Sequence, residues 1–241
     1  MQRLFLTALA VSIATACSPV KIEGELEGAE PKLVEAVFVE TADQSDLGVT
    51  VFVTEFEDTC ATMTTFYEDW IDAVNNLFGA ETEADLMAAA EAMEAAESTL
   101  PSDHWSGLFS FAVEDIASLS GGSFDGTSAG SEEWNTGEFG AGIVHNTGYT
   151  DWPACVEASF EDCDFKSTTY VSDGGSATVT EFTTMDLLEL EFSAEFMTLD
   201  NETGEVGSSA GTLEGAVSAS WCESLENILA EEEGEEGEVD E

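Results

Sequence analysis

LLELEFSAEFMTLDNETGEVGSSAGTLEGAVSASWC, residues 187–222, is the stretch whose reading decides the fold class. Leu188, Leu190, Phe192, Ala194 and Phe196 alternate with Glu189, Glu191, Ser193 and Glu195, the two-residue period of a strand with one dry face and one wet face. Asp200 to Gly204 supplies turn residues. Gly211, Leu213, Gly215, Val217, Ala219 and Trp221 then line one face of a return strand that ends at Cys222. The whole is a long antiparallel hairpin with an acidic outer face.

Upstream of the hairpin the chemistry divides in two. Trp105, Phe109, Phe111 and Val113 alternate along one strand, and Phe139 to His145 forms another. Between them Ser118 to Gly137 is a Gly/Ser/Glu loop, and Tyr149 to Lys166 is irregular. Nearer the N-terminus, Leu33 to Thr41 and Leu47 to Phe56 are strands, the second apolar on both faces and therefore expected to be central. A helix is expected from about Cys60 to Phe78, capped by Asp58 or Thr59 and carrying Met63, Phe66, Trp70, Val74 and Leu77 on one stripe. A second helix, about 81–98, turns Leu86, Ala89, Ala90 and Met93 inward. These elements predict an α+β fold, an antiparallel β-sheet with two consecutive helices packed against it, in a single acidic domain over 32–226. Glu231 to Glu241 holds eight acids in eleven residues, so 227–241 is expected to be a disordered acidic tail.

The N-terminus sets the compartment. Arg3 precedes an uncharged apolar run from Leu4 to Ala16, thirteen residues, which suits a secretory signal peptide and falls short of the roughly 20 needed to span a bilayer. Ala14-Thr15-Ala16-Cys17 resembles the lipobox of bacterial lipoproteins, with Ala14 where that pattern prefers Leu. The resemblance covers the leader alone. It implies cleavage after residue 16, a lipid on Cys17 that anchors the chain to a membrane, and, with Ser18 next, the outer membrane of a two-membrane bacterium. Residues 17–31 then form an anchor and tether, with a reach from Ser18 to Pro31 of about 45–50 Å if extended.

Cysteine arithmetic agrees with this. The chain has five cysteines, and a lipid on Cys17 leaves four to pair in an oxidising compartment. Sequence permits three pairings; the one expected joins Cys155 to Cys163 and Cys60 to Cys222.

Charge excludes some partners. Against 52 Asp and Glu stand 4 Lys and Arg, and without Arg3 the balance is 3 − 52 = −49. A surface of this kind has no means of displacing counterions from phosphates, so nucleic acid is not a partner. The acids suit either a solvated surface in salty surroundings or capture of cations.

Three functional readings follow. The first is a lipid-anchored exported envelope or surface protein with a non-enzymatic binding or structural role. The second is an exported hydrolase assembled from scattered acids with His104 or His145. Gly126-Thr127-Ser128-Ala129-Gly130 and Gly207-Ser208-Ser209-Ala210-Gly211 match the nucleophile-elbow pattern G-x-S-x-G, yet no histidine follows Ser209 and only His145 follows Ser128. The third is a calcium-binding protein, with Asp162, Asp164, Asp200 and Glu202 as candidate oxygen ligands. Asp200 to Gly204 begins like a calcium loop but places Gly211 where the bidentate acid belongs.

Overall fold

A computed structural model describes residues 20–42, 47–129, 135–158, 163–201 and 203–235. The leader, Cys17, the 43–46 turn, Asp162 and Glu202 lie outside the described residues. The hairpin is present as β9 (Leu187–Leu199) and β10 (Val206–Trp221), paired antiparallel from Leu199–Val206 to Leu187–Ser220. Leu188, Leu190, Phe192, Ala194 and Phe196 are buried while Glu191, Ser193 and Glu195 are exposed, as the period requires.

Around this hairpin the sheet closes on itself. β2 (Glu35–Ala42), β3 (Leu47–Thr54), β4 (His104–Val113), β6 (Glu138–Asn146) and β7 (Ser167–Ser172) follow as antiparallel neighbours, and β7 pairs with the last residues of β9. Two parallel pairs, Ser220–Val37 and Trp221–Phe38, shut the ring on the other side. β5 (Ser123–Gly126) and β8 (Ser176–Thr183) bridge β6 to the first half of β9. β9 pairs with β10 along its whole length on one edge; on its other edge its first half meets β8 and its last residues meet β7, which closes the sheet into a barrel.

The interior is apolar. Phe38, Phe109, Phe111, Phe139 and Phe196 are all under 2 % exposed and belong to one apolar cluster with the inward Leu and Val side chains. Each contributes about 1.5–3 kcal/mol on burial. Outside, Glu191, Glu195 and Glu214 face solvent. An apolar inside and a carboxylate outside reverse the arrangement of a transmembrane barrel. No helix among the described residues is long and apolar enough to cross a membrane.

β2 and β3 are each buried on both faces, as the sequence predicts for β3 alone. Ala36, Phe38, Val49, Val51 and Val53 point into the barrel; Val37, Val39 and Phe52 point out, under Met63 of α1 (Thr59–Phe78) and Leu225 of α4 (Glu223–Glu235). The fold is thus mixed α and β. The helices differ from expectation in one respect: α2 (Glu83–Glu97) rests chiefly on α1 and α3 (Trp152–Glu157), not on the sheet. The outer face of β2 and β3 is already taken by α1 and α4.

Other expectations are corrected. Residues 20–26, read as tether, form β1 (Val20–Leu26), all of it paired antiparallel with β10. Its polar composition hides two anchors, Val20 at 4 % and Leu26 at 0 % exposure. Gly24 and Gly211 let it approach: both have positive φ, and a Cβ on either would meet a carbonyl of the other strand. Residues 227–235, read as disordered, continue α4 because buried Leu225 and half-buried Leu229 pack on the outer face of the barrel. Asp58 stands at the α1 N-cap in the left-handed region, φ 59°, and its side chain makes no capping bond. In the segment read as irregular, Asp151 caps α3 by accepting from Ala154 N at 3.0 Å.

Candidate functional site

The barrel's closure gathers the candidate residues at one rim. There β4 begins, β6 and β9 end, and β7 begins. The β4–β6 register pairs His104 with Asn146 and Trp105 with His145, so the two histidines lie on adjacent strands. The β7–β9 pairing sets the loop after β9 beside the loop before β7. The Asn201 amide crosses between them, donating to the Ser167 carbonyl at 2.9 Å and to Ser167 Oγ at 3.2 Å. Asp164 and Asp200 therefore belong to neighbouring loops.

His104 is 3 % exposed and both its nitrogens are engaged. Nδ1 meets the Pro101 carbonyl, an acceptor only, so Nδ1 carries the proton; Nε2 is left to accept from the Asn146 amide at 3.1 Å. That fixes one neutral tautomer. Burial holds its pKa below the ordinary imidazole value, against the opposing pull of the Pro101 carbonyl, Glu55 and Asp103. With no free lone pair, His104 cannot take a proton from a substrate.

His145 lies flat on Trp105, ring centroids 4.1 Å apart and planes within 2°, and its Nε2 is 3.3 Å from Asp103 Oδ1. Trp105 stacks in turn towards Tyr170, whose hydroxyl donates to Glu27 Oε2 at 3.2 Å. Burial, then the Glu27 carboxylate, push the Tyr170 pKa up to about 12. Glu55 clasps the same strand end: its Oε2 accepts from Trp105 N at 3.1 Å and its N donates to Trp105 O at 2.9 Å. No hydroxyl or thiol of a described residue hydrogen-bonds either imidazole; among the described residues the rim shows a histidine–carboxylate pair, His145 with Asp103.

The elbow patterns do not form elbows. Ser128 follows β5 in a loop, and Ser209 lies within β10, where its hydroxyl donates to Glu195 Oε1 at 2.7 Å. Of the calcium candidates, Asp164 forms an ion pair with Lys166, and Asp200 Oδ1 accepts from Thr203 N at 2.8 Å to close the hairpin turn. Among the described residues no three His, Cys, Asp or Glu side chains gather into a metal-binding group. The cysteines pair as Cys60–Cys222 and Cys155–Cys163.

No family model, curated protein or solved structure matches this chain.

Two carboxylates that sequence did not single out organise the helical layer. Glu97 Oε2 accepts from Thr150 N at 2.8 Å and from Trp152 Nε1 at 3.2 Å, which pins α3 to α2. Burial raises the Glu97 pKa, partly offset by those donors. Glu226 Oε2 accepts from Trp221 Nε1 at 2.7 Å and from Glu40 N at 2.9 Å, fixing α4 to β2. The Glu40 carboxyl in turn accepts from Met185 N at 3.1 Å, and burial raises its pKa. Nothing in the spacing of these residues reveals them, because each acts on a partner more than fifty positions away or across a turn.

Proposed function

We propose that the protein is a lipid-anchored, exported envelope protein whose barrel serves a non-enzymatic binding or structural role. The observation that carries the reading is the pairing of cysteines. Four of the five are joined in two disulfides, one spanning 162 positions, and Cys17 is the one outside both. Stable disulfides of this kind belong to an oxidising compartment, and a lipid on Cys17 removes the odd thiol. The apolar core inside the barrel and the engagement of both His104 ring nitrogens support a binding or structural role. The lipobox-like Ala14-Thr15-Ala16-Cys17 supports a membrane anchor, and Ser18 after it supports the outer membrane of a two-membrane bacterium.

The test is incorporation of labelled palmitate in a two-membrane bacterial host. Cys17→Ser is expected to abolish the label and release the protein from the membrane fraction. Unlabelled wild-type protein that stays in the soluble fraction would refute the anchor.

A further inference from the structure

We infer that the barrel is held directly against the membrane by its seam, the wall where β10 changes neighbour from β1 to β2, and that this wall faces headgroups bearing ammonium groups. The inference rests on the acylation of Cys17 proposed above. Its geometric basis is the start of β1. Val20 is 4 % exposed and pairs with Val217, and every residue of β1 is paired with β10. Only three positions separate Cys17 from Val20, and three residues reach at most about 11 Å when fully extended. A lipid on Cys17 therefore sits on a leash of at most three residues, which keeps the start of β1 close to the bilayer.

The point of attachment decides which wall is presented. The β1 ladder ends at Val217 and the β2 ladder begins at Ser220, so the N-terminal end of β1 is directed along β10 towards Ser218. A cleft of about 510 Å³ opens there, lined by Val34, Glu35, Ala36, Glu57, Leu187 and Ser218. Val34 is among the more exposed large apolar side chains, at 38 %. The side chains that set the charge of this wall are Glu35 and Glu57 at the cleft, with Glu23 and Glu214 paired across β1 and β10 and Lys21 beside them. At a separation comparable to the Debye length of about 8 Å, such carboxylates repel anionic headgroups and favour zwitterionic ones that expose an ammonium. The chemical class of partner is therefore an aminophospholipid surface.

The experiment uses the full acylated protein in vesicles of phosphatidylethanolamine and phosphatidylcholine carrying nitroxide headgroups. A fluorophore is attached in turn at Ser218→Cys on the seam and at Leu108→Cys on the outer face of β4, farther round the ring. Quenching several-fold stronger at Ser218 than at Leu108 is expected. Inserting about twelve Gly/Ser residues before Val20 should erase the difference, because a flexible leash averaging about 20 Å no longer fixes which wall is presented. Equal quenching at the two positions in palmitate-labelled protein overturns this inference alone. Protein without palmitate label overturns the acylation of Cys17 and this inference with it. Stronger seam quenching on phosphatidylglycerol than on phosphatidylethanolamine overturns the assigned headgroup class.

Discussion

The barrel and the helical layer are built on unequal principles. The barrel encloses one continuous apolar cluster to which nearly every strand contributes, and its backbone groups are paired around a closed circuit. The helical layer has a small cluster of its own, centred on Val37, Val39, Phe52, Met63 and Leu225. It compensates with a covalent staple, Cys60–Cys222, and with single half-buried carboxylates such as Glu97 that tie one helix to the next. The lesson concerns where stability is shared and where it hangs on one bond. A defect in the barrel should spread over the whole fold; a defect in the layer should stay local unless it cuts the staple.

That contrast can be broken in several ways, and the staple comes first. Replacing Cys60 and Cys222 together by Ala removes a loop of 162 positions, about 5 kcal/mol in the chain-entropy model. Urea unfolding should show this as a large fall in midpoint, and a change near zero would mean the layer holds without it. Next is the barrel. Phe109 is 0 % exposed and its ring centroid lies 4.7 Å from that of Phe192, so Phe109→Ala should cost about 3–5 kcal/mol. Hydrogen exchange should then rise in every strand of the ring alike. Met63→Ala should cost about 2–3 kcal/mol and raise exchange in α1 while β9 and β10 stay protected. Uniform loosening by Met63→Ala would abolish the distinction between the two regions.

A pH test sharpens it further. Glu97 and Glu40 have pKa values raised in the folded state, so folding takes up protons there. The penalty of holding these carboxylates ionised is present above the raised pKa and is relieved as pH falls through it towards the unfolded value. The melting temperature should therefore rise as neutral buffer is acidified towards the ordinary carboxylate range. Glu97→Gln keeps an acceptor for Thr150 N and Trp152 Nε1 and removes the half-buried charge, so its rise should be smaller than that of the wild type. An identical pH profile would show that Glu97 is not a source. The smallest effect is expected at the rim, where Asp164 meets Lys166 and Asp200 closes its own turn. Calcium and magnesium at matched ionic strength should raise the melting temperature equally, and a calcium-only rise that continues logarithmically would reinstate a specific site.

The parts legible in sequence were those with a local period. The alternation in residues 187–222 marked the hairpin and its buried face, and the spacing of Met63, Phe66 and Trp70 marked α1 to within a residue of its start. The two apolar faces of β3 announced a strand with something packed on each side. What stayed hidden depends on distant partners. β1 looks like a tether because Lys21, Glu23 and Glu25 point away from the core and only its two ends are fully buried, with Ile22 partly packed between them; its strand character comes from β10, nearly two hundred residues on. α4 looks like the start of an acidic tail because its apolar residues are sparse, and it is helical because they find the outer face of β2. The rim that joins His104 to Asn146 and sets the loop of Asp164 beside the loop of Asp200 is a product of register and closure, which no spacing encodes.

The two parallel pairs that shut the ring also set an order of events. Val37 and Phe38 wait as an open edge until Ser220 and Trp221 exist beside them, so no ribosome or export channel can release a finished barrel early. Until nearly the last strand has emerged, the chain is a growing sheet with one raw border. Contacts this distant along the chain make folding slow. A protein that assembles late and slowly is one that can be threaded through a membrane before it becomes a solid object.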